Sequence, residues 1–118
     1  MIILPLPPSI NQYYGHNNYI NRRYKKPEAK AWEMEAGLKL KQQFKEKFGK
    51  EKVALTVYYY FGNSRSDLGN RTKILQDLFE KVAIIDNDNQ VWERHEYKNI
   101  DHSNPRVEVK IERLQTSN

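Results

Sequence analysis

A period of four gives way to a period of two near the middle of the chain, and that change limits the fold more than any other feature. Trp32, Ala36, Leu40, Phe44 and Phe48 recur at every fourth position, which places them on one stripe of an α-helix, and Gly49 supplies a stop. Pro27 suits the first turn of that helix, which should run for about five turns. Val53, Leu55, Val57 and Tyr59 then alternate with Ala54, Thr56, Tyr58 and Tyr60, a strand rich in β-formers. A chain carrying both patterns must bury a helical stripe against one face of a sheet.

The flanking segments complete the plan. Residues 2–6 read as a short strand stopped by Pro7 and Pro8, because proline cannot donate to a ladder. Residues 9–26 show no clean period and read as a long loop with short pieces of strand, a kind of loop more often functional than idle. Gly62, Asn63 and Ser64 mark a turn, and a second helix is expected from about Leu68 to Val82. IIDNDNQ, residues 84–90, is a turn dense in Asp and Asn. Residues 91–98 and 107–114 read as two more strands, expected to be neighbours joined by a turn at 99–105, and residues 116–118 are expected to fray. The order β, loop, α, β, α, β, β predicts an α+β fold, a mixed four-stranded sheet with two main helices packed on it. At 118 residues, without repeats or linkers, a single domain over residues 1–118 is expected.

Composition narrows the class of activity. With 38% hydrophobic and 30% charged residues the chain falls among folded domains, not disordered ones. No apolar run approaches the roughly 18 residues that span a bilayer, so no membrane partner is expected. MIILPLPPS is too short and too Pro-rich to read as a signal peptide. The absence of Cys removes thiolate metal sites, thiol nucleophiles and disulfides, and makes a cytoplasmic location the default. Twenty Lys and Arg against fifteen Asp and Glu give a net charge of +5, which suits a polyanionic partner, and eight Tyr offer faces on which bases could stack.

Chemistry concentrates in three places. On the second helix, Leu68, Leu75, Leu78, Phe79 and Val82 share one face, while Asn70, Lys73 and Asp77 lie opposite, with Asp67 at the start. Taken alone, that polar face could be no more than solvated, with Lys73 and Asp77 as an i,i+4 pair. The bend that follows carries Asp86 and Asp88, and acids gathered on a turn of a basic protein form a candidate cation site. The N-terminal loop mixes Asn11, Tyr13, Tyr14, His16, Tyr19, Arg22, Arg23, Lys25 and Lys26, which suits a surface that tracks a phosphate backbone. Acids inside a basic field fit a metal-dependent enzyme acting on nucleic acid. His16, His95 and His102 fit no ligand spacing and are expected to be structural or solvated.

Three blocks together resemble the RusA-like Holliday-junction resolvases. LPLPPSINQYYGHN, residues 4–17, is similar to that family's LPxPPSxNxxY pattern. DLGNRTKILQDLF, residues 67–79, is similar to its D-L-D-N-x-x-K-x-x-x-D-x-L helix, and DNDNQV, residues 86–91, to its D-D-x-Q-V turn. The resemblance implies a homodimeric endonuclease acting with Mg²⁺ on branched DNA, the four-way junction. By position it implies that Asp67 and Asp88 are metal-binding carboxylates and Lys73 a catalytic lysine, with Asn70, Asp77, Asp86 and Asn11 in support. Tyr14, Arg22, Arg23, Lys25, Lys26, Arg65 and Arg71 become the candidate DNA contacts.

Two positions depart from the pattern. Asn87 stands where the family often has an acid, and Gly69 stands where it places a second catalytic Asp. Read as a helical residue, Gly69 would cost up to about 1 kcal/mol relative to Ala and offers no ligand. A weakened or inactive site, an engineered inactivation, and a site in which Asp67, Asp88 and water suffice, with Asp86 or Asp77 standing in, all remain open. The competing class is a catalytically inactive, structure-specific DNA-binding protein on the same fold.

Overall fold

The computed structural model describes residues 1–19 and 22–114. A four-stranded sheet contains β1 (Ile2–Leu4), β4 (Val53–Phe61), β5 (Val91–Ile100) and β6 (Arg106–Arg113), in the order β1-β6-β4-β5. The sheet is mixed, because β5 runs parallel to β4 while β6 pairs antiparallel with both β4 and β1. Two main helices, α2 (Pro27–Gln43) and α3 (Arg71–Lys81), make the fold α+β as expected. No helix among the described residues is long and apolar enough to cross a membrane.

The alternation of β4 sets the core. Val53, Leu55, Val57, Tyr59 and Phe61 are buried on one face, with Val107 and Val109 of β6 and Ile2 and Leu4 of β1 beside them. Trp32, Ala36 and Leu40 of α2 join that core, as do Ile74, Leu75, Leu78 and Phe79 of α3. Burial at roughly 25 cal/mol per Å² of apolar surface makes this stripe-on-sheet contact the main favourable contribution to the fold. Inside it, the Tyr59 hydroxyl and Thr72 Oγ1 share a hydrogen bond at 2.6 Å, so neither polar atom is left unsatisfied.

Four expectations need correction. β5 and β6 are not neighbours, because β4 lies between them. Their connection passes over the end of β4, where the Asp101 amide donates to the Phe61 carbonyl at 2.8 Å and His102 Nδ1 lies 2.5 Å from the Gly62 carbonyl. A Cβ on Gly62 would come within 3.3 Å of Pro105 Cγ, so the crossing loop favours glycine there. The first main helix ends at Gln43, not at Phe48, and Phe48 reaches the core from the following loop, stacked on Phe44 at 5.8 Å. The second begins at Arg71, three residues later than expected, with Asn70 as its N-cap. The first strand ends at Leu4. The fraying expected at residues 116–118 lies outside the described residues.

Residues 9–19 and 22–26 carry more regular structure than their sequence suggests. They hold a one-turn helix α1 (Ile10–Tyr13), then β2 (Tyr14–Asn17) paired antiparallel with β3 (Arg22–Lys25). Ser9 and Gln12 close a capping box over α1, each side chain bonding the other's backbone amide at 3.3 Å.

Candidate active site

The start of α3 is built against the N-terminal segment. Arg71 fixes this junction: its Nη1 donates to the Pro7 carbonyl at 2.6 Å and its Nε to the Asp67 carbonyl at 3.2 Å. Its guanidinium also lies 5.1 Å from the centre of the Phe61 ring. Burial pulls the Arg71 pKa below its ordinary value, against the opposing influence of Tyr59 and Asp67. Arg71, expected as a DNA contact, holds two segments of backbone together.

A pocket of about 230 Å³ opens at this junction, with Ser9 and Asn11 on one side and Asp67, Gly69 and Asn70 on the other. Gly69 does not sit in the helix. It precedes it in the left-handed region, at φ +48°. Glycine relieves strain at such a position, so the expected cost of a helical glycine is replaced by a local benefit. A Cβ there would lie 3.3 Å from Asp67 Oδ1, and an Asp at this position would crowd the Asp67 carboxylate.

Lys73 joins α3 to the acidic bend. It follows Asn70 by one turn, with its amide bonded to the Asn70 carbonyl at 3.2 Å. Its ammonium reaches Asp88 Oδ2 at 3.2 Å and Asp77 Oδ1 at 3.7 Å. The hydrogen bond to Asp88 and the charge of Asp77 raise the Lys73 pKa above the ordinary lysine value. Lys73 thus carries a positive charge at neutral pH, held between the two carboxylates. Asp67, by contrast, opens into the pocket beside Asn70. Among the described residues no three His, Asp or Glu side chains gather into a metal cage.

The acidic bend depends on a residue that sequence reasoning passed over. Gln90, 6% exposed, accepts from the amides of Asp86 at 2.8 Å and Asn87 at 3.0 Å. Its amide donates to the carbonyls of Gly49 at 2.8 Å and Glu51 at 2.7 Å. The bend itself is a 3-10 turn, Asp88–Gln90, capped by Asn87, whose side chain accepts from the Asn89 amide at 2.9 Å. Asn87 therefore acts as a cap where the family pattern often has an acid. The Asp86 side chain is exposed.

The expected DNA contacts divide into two groups. Arg23 stacks on Tyr14, 3.9 Å from its ring centre, across the β2–β3 arm, while Arg22 on the same arm is exposed, as is Arg65 in the turn after β4. Lys26 instead donates to the Asn11 carbonyl at 3.0 Å, and Lys25 pairs with Glu33 at 2.6 Å. The three histidines stand apart, on β2, on β5 and in the loop between β5 and β6.

Comparison with known proteins agrees with these blocks. Residues 5–112 match the family model of the endodeoxyribonuclease RusA. The chain is also similar to the crossover junction endodeoxyribonuclease RusA of Aquifex aeolicus, 31% identical over an alignment that covers 96% of this chain and 88% of that protein.

Proposed function

This chain belongs to the RusA endodeoxyribonuclease family, and on that footing we propose that residues 1–118 form one domain that resolves four-way DNA junctions by paired nicks. The observation that carries the reading is the Lys73 ammonium, held 3.2 Å from Asp88 one turn beyond the pocket that Asp67 lines. A preorganised positive charge beside carboxylates suits charge developing on a phosphodiester.

The donors in the pocket fit a divalent ion. The Asp67 carboxylate and the amide oxygens of Asn11 and Asn70 are hard oxygen ligands, and Mg²⁺ takes one or two carboxylates while keeping several waters. Asp67 and Asp88 would hold it, with Asp77, Asp86, Asn70 and Asn11 in support. When bound, such an ion polarises the phosphate and lowers the pKa of its water. The chain's own part is to keep Lys73 protonated for the leaving oxygen and to bring the backbone in along Tyr14, Arg22, Arg23 and Arg65. Two strands cut near one branch point call for a homodimer, and two-fold pairing is the commonest assembly for a small protein. A cytoplasmic location fits the lack of Cys and the DNA substrate.

The test is cleavage of a synthetic four-way junction with Mg²⁺ by the unaltered chain and by Gly69→Asp. Asp is among the few residues that tolerate the left-handed region, at a cost of about 1 kcal/mol. The unaltered chain is expected to nick slowly and Gly69→Asp at least about tenfold faster, a difference of about 1.4 kcal/mol in barrier. Binding without cutting by the unaltered chain, with cutting by Gly69→Asp, would mark a DNA-binding protein that has lost its site. No preference for junction over plain duplex in either chain would remove the resolvase reading.

A further inference from the structure

Among the ion pairs of the described residues, the least exposed side chain lies outside the candidate active site. Glu33 of α2, with a side chain only 12% exposed, receives Lys25 from β3 at 2.6 Å and Lys81 from α3 at 3.0 Å. The Tyr13 hydroxyl of α1 donates to the same carboxylate. One carboxyl group thus joins four elements, including the strand that carries Arg22 and Arg23. Burial works to raise the Glu33 pKa, but hydrogen bonds from Lys25, Tyr13 and Lys81 outweigh it and bring it down to about 2. Burial and the same contact push the Tyr13 hydroxyl well above its ordinary value. At neutral pH Glu33 is a carboxylate and Tyr13 a neutral hydroxyl donating to it.

We propose that Glu33 is a positioning residue that masks Lys25 and Lys81 from DNA and so sets the preference for branched over plain duplex. This rests on the DNA-binding reading above. Exposed lysines attract any phosphate backbone alike, and that attraction adds equally to specific and non-specific binding. Held on Glu33, Lys25 gives the arm a fixed seat but contributes no phosphate contact. The arm then presents Arg22 and the stacked Arg23, whose placement follows from that seat. A purely mechanical tie could have been apolar at no loss. A carboxylate that offsets one of the two ammonium charges beside it does something more: it limits charge where the arm meets α3.

Salt-dependent binding separates masking from scaffolding. Dissociation constants for a four-way junction and a plain duplex would be measured against salt for the unaltered chain, Glu33→Gln, Lys81→Met and the double variant. Glu33→Gln is expected to steepen the duplex slope by about 0.9 for each lysine released, one or two in all. It should also tighten duplex binding at low salt and lower the junction-to-duplex preference by about fivefold, which is roughly 1 kcal/mol. Lys81→Met alone should leave the slope unchanged, yet in the Glu33→Gln background it should take back about 0.9. Weaker binding to both DNAs with an unchanged slope in Glu33→Gln would overturn the mask and leave a scaffold. If Glu33→Gln does not fold, Lys81→Met decides: a slope reduced by about 0.9 in that variant alone means an unmasked lysine and overturns the proposal. An unaltered chain that binds no DNA would overturn this proposal together with the reading beneath it, whereas intact junction binding with unmasked slopes overturns this proposal alone.

Discussion

Lys73→Met is expected to slow junction cleavage by about 10²–10³-fold while junction affinity stays within about threefold, the loss seen when one preorganised charge is removed from a transition state. Methionine keeps the length and apolar stem, so α3 should be undisturbed at a residue whose side chain is more than half exposed. The ammonium touches Asp88 and Asp77 and nothing in the core, which is why the effect should fall on the chemical step and not on stability. Removing it also leaves those two carboxylates without their counter-charge. The concentration of Mg²⁺ needed for half-maximal cleavage should therefore fall even as the rate falls. A collapsed site would move both in the unfavourable direction, so single-turnover rates across a Mg²⁺ titration distinguish the two. Cleavage within threefold of the unaltered chain would remove Lys73 from the mechanism.

Gln90→Leu should be the most destabilising change near the site, at about 3 kcal/mol. Leucine fills a similar volume but ends hydrogen bonds to Asp86, Asn87, Gly49 and Glu51 in a buried position. A buried backbone group left without a partner costs about 1–3 kcal/mol. The Asp86 amide keeps a second partner in the Gly49 carbonyl, and water can reach part of the bend, so the four losses do not add in full. For a domain of this size the melting temperature should fall by roughly 10 °C. Cleavage measured well below that temperature should fall too, because Asp88 sits on the turn that Gln90 holds. A melting shift under about 3 °C would mean that water replaces the side chain without loss.

What could be read from the residues, and what could not, follows the range of the interactions. The helical stripe around Trp32 and Leu40 and the alternation of β4 are local repeats, and both fall on the core as their periods require. Strand order is a long-range property. Residues 91–98 and 107–114 looked like neighbours because a short turn joins them, but burying β4 on both edges places it between them. The β2–β3 arm has four-residue strands, too short for an alternation to stand out, although the Ser9 and Gln12 spacing of its preceding turn is a legible cap.

Within the site, Lys73 with Asp77 is a helix-spacing relation and could be read directly. That Asp88 meets Lys73 needed the bend to fold back on α3; the acids on the turn and the motif resemblance singled Asp88 out, but no local period links it to Lys73. Gly69 was misplaced for a local reason: the pattern of apolar residues extends the helix through Leu68, while the backbone turns through a left-handed residue first. Glu33 carried no signal, since a glutamate on the flank of a long helix usually faces water. Only the tertiary contacts of Lys25, Lys81 and Tyr13 single it out.

The central claim is that the pocket of Asp67 and the bend of Asp88 serve one divalent ion. Manganese binding to the junction complex, followed by electron paramagnetic resonance, tests it for the unaltered chain, Asp67→Asn and Asp88→Asn, with each variant's fold checked by melting. One ion per chain that is lost in both variants is the predicted result; an ion retained at unaltered affinity in Asp88→Asn would contradict it.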